Sequence, residues 1–319
     1  MYYSGFVKPL SLIVFSLLTI VFSITVAGLF YNLLVDQPIA SEISKEDIKE
    51  SSTEKLEYYW EYESTQEIVD NPDWLETPAT YHINDDGFND LSNYQTEKPD
   101  NSFRIITLGD SFTFGHFVDT GKNWTEQLEA MLNKTECRKK YDSVEIINLG
   151  MPGFDIEYLV ERYKSKGAKY NPDLILWLEL GSGFSRFSEL SQPLIRACEE
   201  ETDRLRLVKD AIPNYACWNW ASNKISSSYT RTELDTLIQD SLAEFDSFAK
   251  DSQVNFYFQQ DAEEQYNSTI QKYTGFDFNL FFTVPNLKSS ELLPDGHPNR
   301  QGHTAIAQHI YDSLSICTE

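Results

Sequence analysis

Cysteine is scarce in this chain: four in 319 residues, Cys137, Cys198, Cys217 and Cys317, with no C-x-x-C pair among them. That spacing argues against a zinc knot, and an even count permits two disulfides outside a reducing compartment. Basic charge is scarce too. Twenty-six Lys and Arg stand against 50 Asp and Glu, a formal net charge of -24, which argues against a nucleic-acid partner held through its phosphates and disfavours an anionic membrane surface. No internal repeat is present, and no His-x-x-x-His or carboxylate-His spacing, so neither a metal nor a cofactor is expected. Between Lys8 and Asp36 charge is missing altogether.

That uncharged run, residues 10–35, is rich in Leu, Ile, Val and Phe and exceeds the roughly 20 residues that cross a bilayer. It reads as a signal-anchor transmembrane helix. Lys8 precedes it and Asp36, Glu42 and Glu46 follow, which puts residues 1–9 in the cytoplasm and the rest on the extracytoplasmic side, periplasmic or at the cell surface. A signal peptide cleaved near Thr25 and Ala27 is the alternative. Residues 36–60 are polar and charged, as a stalk is. Residues 61–100, with an aromatic stretch and Asp85-Asp86-Gly87 turn chemistry, read as an N-terminal extension of a domain that spans 101–319.

Within that domain short apolar runs alternate with helical patterns. The runs are 103–109, 144–150, 173–181, 254–260 and 278–284; the helices fall near 123–134, 155–167, 231–250, 262–273 and 299–316. Alternation of this kind means βαβ units and a parallel sheet, an α/β fold. Residues 184–229 are too long for an ordinary connection and read as an insertion near the site. It holds Cys198 and Cys217, which can staple it, and Tyr215, Trp218 and Trp220. The two tryptophans are either a cap on the sheet or a sugar-stacking platform, hence candidate substrate contacts.

Ligands of an open parallel sheet bind beyond the carboxyl ends of its strands. The first run ends in Gly109-Asp110-Ser111-Phe112-Thr113-Phe114-Gly115, where a serine can be either a helix N-cap or a nucleophile beside unpaired backbone N–H groups. The far end of the chain favours the nucleophile: Asp295-Gly296-His297 offers a base for the Ser111 proton and a carboxylate to orient that base. Of the other histidines, His116 follows Ser111 closely enough to line a pocket. His303 and His309 read as surface or helix-packing residues, and His82 has no evident partner. Asn123, Asn133 and Asn267 start N-glycosylation patterns that matter only in a glycosylating host.

Gly109-Asp110-Ser111, a second strand ending in Gly150, and DGHPNRQGH near the C-terminus together resemble the SGNH or GDSL hydrolase family over roughly residues 80–316. The INDDGF lead-in is similar to that of membrane-associated bacterial members. The resemblance implies a three-layer α/β/α sandwich with a flavodoxin-like five-stranded parallel sheet, and hydrolysis of esters through a Ser111-His297-Asp295 triad. The N–H groups of Ser111 and Gly150 would form the oxyanion hole. Where the family reads GxND this chain has Gly181-Ser182-Gly183-Phe184, so Gly183 replaces the Asn donor, a loss of about 2.7 to 4 kcal/mol in transition-state stabilisation unless Ser182 or a residue of the insertion substitutes. The Asp-x-His spacing is one residue shorter than usual, as in membrane-associated members. With strand order 2-1-3-4-5 the first and last helices share a face, which leads to a second disulfide, Cys137–Cys317.

The expected activity is a serine esterase acting on O-acyl, chiefly O-acetyl, esters of an extracytoplasmic glycan. The alternatives are an O-acyltransferase with the same covalent intermediate, or a weakly active or inactive envelope scaffold, for which Gly183 is the best support.

Overall fold

The computed structural model describes residues 48–50, 56–134, 137–180, 183–205, 215–259, 280–314 and 316. Two short antiparallel pairs come first: β1 (Ile48–Glu50) with β2 (Trp60–Tyr62), and the hairpin of β3 (Gln66–Asp70) and β4 (Ala79–Ile83). Then β5 (Ser102–Gly109), β6 (Ser143–Asn148), β7 (Leu174–Glu179), β8 (Gln253–Gln259) and β9 (Leu280–Val284) form one parallel sheet in the order β6-β5-β7-β8-β9. This is the expected 2-1-3-4-5 order.

The helices are α1 (Ser111–Phe114), α2 (Trp124–Leu132), α3 (Cys137–Lys140), α4 (Ile156–Arg162), α5 (Ser188–Leu205), α6 (Tyr215–Ser228), α7 (Arg231–Ala249) and α8 (Arg300–Ser313). Alternate strand residues face opposite layers. Ile106, Leu108, Ile147 and Trp177 pack with Leu159 of α4 and Leu242 and Phe245 of α7. Their neighbours Ile105, Ile146, Leu176 and Leu178 pack with Trp124 and Leu128 of α2 and Ile306 and Ile310 of α8. Coverage on both faces explains why β7 is buried at every position and apolar along most of its length. Buried Arg104 in β5 is matched rather than exposed: Glu145 lies 2.7 Å from its guanidinium and the Tyr170 carbonyl accepts at 2.9 Å.

Several boundaries differ from the sequence expectation. Leu56 and Tyr59 are buried in the main core, so the polar stalk stops short of residue 60; a lone apolar residue in a charged stretch gave no period to read. The last turn of the expected 155–167 helix widens into a π-turn, Tyr163–Gly167, after α4. Among its described residues the 184–229 insertion forms two helices, α5 and α6, joined by the Cys198–Cys217 disulfide with Cα atoms 5.6 Å apart. Cys137 is buried in the α2–α8 layer and disulfide-bonded; Cys317, its expected partner, lies outside the described residues, as do the 10–35 segment and the 262–273 helix. Among the described residues no helix is long and apolar enough to cross a membrane.

Candidate active site

The loop after β5 is shaped by its glycines and by Asp110. Gly109 has φ 154°, and a Cβ there would lie 2.5 Å from the Leu178 carbonyl oxygen, so no other residue fits. Asp110, not Ser111, caps α1: its carboxylate accepts the Phe112 N–H at 3.0 Å. The N-cap reading of Ser111 therefore falls, and its hydroxyl is left for other work. The single turn ends at Gly115 in the left-handed region.

At the other end of the chain Asp295 and His297 form a local pair. One Asp295 oxygen accepts the His297 backbone N–H at 3.1 Å, and the other lies 2.7 Å from His297 Nδ1. The shorter Asp-x-His spacing works because the carboxylate folds back across Gly296, which has φ 92°. Nδ1–H donation to Asp295 leaves Nε2 with its lone pair, and Nε2 is 2.9 Å from Ser111 Oγ. Ser111, His297 and Asp295 are thus one continuous hydrogen-bonded chain. Burial pushes the Asp295 carboxyl up, but hydrogen bonds from His297 and its charge outweigh it and hold the group below its usual range.

The remaining expected residues divide. The Gly150 N–H, expected to face an oxyanion, donates instead to Asn148 Oδ1 at 2.9 Å. Gly150 is required for packing, since a Cβ would fall 2.3 Å from the Phe114 nitrogen. In the same loop Gly153 is exposed with φ 77°, and among the described residues nothing accepts its N–H. Gly183 has a reason as well: the buried Glu179 carboxylate accepts its N–H at 2.9 Å and would lie 2.3 Å from any Cβ. A side chain at 183 would therefore require the Glu179 carboxylate to move. Ser182 lies outside the described residues.

Trp218 packs with the small α5–α6 cluster, under the Arg186 guanidinium at 5.8 Å, and Trp220 is 46% exposed on the same helix. His303 is a packing residue; its Nδ1 accepts the Trp124 N–H at 3.2 Å, and burial lowers it to about 3. His116 is neither solvated nor part of the triad. It is buried beside His297 and bonded to Asp70. Asp70, Asn148 and Glu179 were missed in the sequence, because each acts through a partner whose position only the fold reveals.

No family model matches the chain, and no curated protein does. Solved structures do. An acetyl xylan esterase, Est2A, from the rumen bacterium Butyrivibrio proteoclasticus aligns at 16% identity and TM-score 0.43 over 68% of this chain and 64% of its own. LAE5, an alpha/beta hydrolase enzyme from the metagenome of Lake Arreo, aligns at 13% identity and TM-score 0.44 over 68% and 97%. The esterase EstA from Pseudoalteromonas sp. aligns at 16% identity and TM-score 0.41 over 67% and 96%. This chain thus spans under two thirds of the Est2A structure.

Proposed function

We propose that the chain is a serine esterase. The carrying observation is the unbroken Ser111–His297–Asp295 chain, with 2.9 Å and 2.7 Å links, built from two loops at the carboxyl end of one sheet. Ser111 Oγ attacks the ester carbonyl as His297 Nε2 takes its proton; His297 then returns that proton to the leaving alcohol. Asp295 fixes the tautomer and balances the imidazolium. Water, activated by the same His297, completes the cycle by releasing the acid. The Ser111 N–H and the exposed Gly153 N–H are the donors assigned to the oxyanion, in place of Gly150, whose N–H is spent on Asn148. The third donor is absent at Gly183, which predicts a slow enzyme rather than a dead one.

The substrate assignment, an O-acetyl ester on an extracytoplasmic glycan, rests on sequence: the uncharged 10–35 run as an anchor, with the domain outside, and an acidic surface unsuited to anionic lipids. The test is treatment of the full-length chain with a fluorophosphonate probe and with p-nitrophenyl acetate, with Ser111→Ala as control. Labelling and turnover that vanish in the variant are expected. A folded wild type that neither labels nor turns over would return the scaffold reading. Turnover of the synthetic ester combined with preferential delivery of acetyl to an added sugar would return the acyltransferase.

A further inference from the structure

A second histidine–carboxylate pair abuts the triad and belongs to none of its steps. The His116 ring stacks on Phe117, centroids 3.8 Å apart with 12° between planes, and meets the His297 ring edge-on, centroids 5.3 Å apart at 73°. Its Nε2 lies 3.1 Å from Asp70 Oδ2. Asp70 closes the β3–β4 hairpin, is 1% exposed, and accepts the Tyr81 hydroxyl on the same oxygen at 2.9 Å. Tyr81 in turn accepts the Phe117 N–H at 2.9 Å. Three residues, Asp70, Tyr81 and Phe117, from two distant segments therefore fix one imidazole beside another. A bonded Asp70 places the proton on His116 Nε2.

We propose that His116, held by Asp70, is a positioning residue for His297: it fixes that ring from its flank and keeps a neutral imidazole there, so that the positive charge of acyl transfer settles on His297 alone. The proposal rests on the triad reading above. Two imidazoles at this separation resist being cationic together. Burial works in the same direction and, against the pull of Asp70, lowers His116 from its ordinary value. The charged and titratable groups that face it are Asp70 from β3, Tyr81 from β4, and His297 with Asp295 from the loop before α8. A hairpin outside the parallel sheet thereby reaches the chemistry.

The two members of the pair should act with opposite sign. In His116→Gln the ring whose N–H bond draws on the Asp70 charge is gone and that charge remains, which favours imidazolium at His297. In Asp70→Asn the charge itself is gone, which disfavours it. The experiment is long-range proton–nitrogen NMR of the histidines in full-length protein labelled with ¹⁵N-histidine, run across pH alongside p-nitrophenyl acetate kinetics. The wild type should show His116 as the neutral Nε2–H tautomer throughout the His297 transition. The His297 midpoint and the acidic limb of kcat/KM should move up by about half a pH unit in His116→Gln and down by a similar amount in Asp70→Asn. In both variants kcat should fall about tenfold with KM little changed.

Midpoints that stay put, or move the same way in both variants, would overturn the proposal, since lost packing alone lowers kcat without opposed shifts. Should either variant fail to fold by circular dichroism, the wild-type spectra decide: a His116 that is cationic, or protonated on Nδ1, across the His297 transition overturns it. The arms are separable. A wild type silent to the fluorophosphonate probe and to the ester sinks the esterase reading, while the NMR midpoints still judge His116 by themselves.

Discussion

The Ser111 loop and the α5–α6 pair are held in the fold by contrasting means. The loop is held by buried side-chain hydrogen bonds from far along the chain: Asn148 Nδ2 donates to the Thr113 carbonyl at 3.1 Å, Asn89 Nδ2 to the Phe114 carbonyl at 2.8 Å, and Thr120 Oγ1 to Asn89 Oδ1 at 2.5 Å. The helix pair has a satellite core of Ile195, Cys217 and Ala221, one disulfide, and a carboxylate, Glu189, that takes the backbone N–H groups of Glu57 and Tyr58 and the Tyr158 hydroxyl. A network whose every member is satisfied sets a unique geometry, whereas a covalent staple over a thin core limits how far the chain can stray. Precision is thus concentrated in the Ser111 loop, and tolerance in the α5–α6 pair.

That contrast can be broken from either side. The largest effect should come from Asp295→Asn, which keeps the shape but offers His297 the wrong tautomer: a loss of about 10⁴-fold in kcat with an unchanged melting temperature, measured on p-nitrophenyl acetate. A loss below tenfold would mean that the loop's geometry is not catalytic. Next, Asn148→Ala strands the Gly150 N–H and two carbonyls, at a cost of about 2 to 4 kcal/mol in urea unfolding together with most of the activity. On the contrasting side, Cys198→Ser with Cys217→Ser should release about 3 kcal/mol of chain constraint, visible as faster amide exchange in α5 and α6 while fluorophosphonate labelling of Ser111 stays within about twofold. Equal loosening of both regions would erase the distinction.

A smaller effect concerns pH. Burial, with a further push from Glu126 and Glu145, raises Glu129 from 4.5 to about 7, although it accepts the Ile146 N–H. Because the native state holds this proton more tightly than the unfolded chain, the stabilisation is complete below about pH 4.5 and is lost as pH rises through about 7. Glu129→Gln should flatten that decline, gaining about 1 to 3 kcal/mol at pH 8 relative to pH 5 in paired urea titrations. Smallest of all, Trp220→Ala should change stability by about 0.5 kcal/mol or less; on a glycan ester its effect on KM tells a stacking platform from a bystander.

Much of this arrangement was legible beforehand, and the limits follow from distance along the chain. The strands were readable because β7 is covered on both faces and almost wholly apolar, and β5 carries the buried run of Ile105, Ile106 and Leu108. Asp295 and His297 were readable because they stand two residues apart beside a turn. Asp70 was not, for it lies 46 residues from His116 with nothing local to mark it. Gly150 misled for an instructive reason: a glycine after a strand can be there to expose its N–H or to let another backbone pass, and only the 2.3 Å approach to Phe114 decides between the two. Gly183 looked like a lost donor, and in the fold its own N–H is held by the Glu179 carboxylate.

The chain order of the triad has its own consequence. Ser111 and His297 are 186 positions apart, with β6 to β9 and the intervening helices between them. The ribosome makes Ser111 186 residues before His297, so over that interval of synthesis the hydroxyl lacks the imidazole it pairs with in the fold. Any ester that meets the nascent chain in that interval meets a hydroxyl without its proposed base, and the pairing forms only once the Asp295–His297 loop has been made and folded against the Ser111 loop.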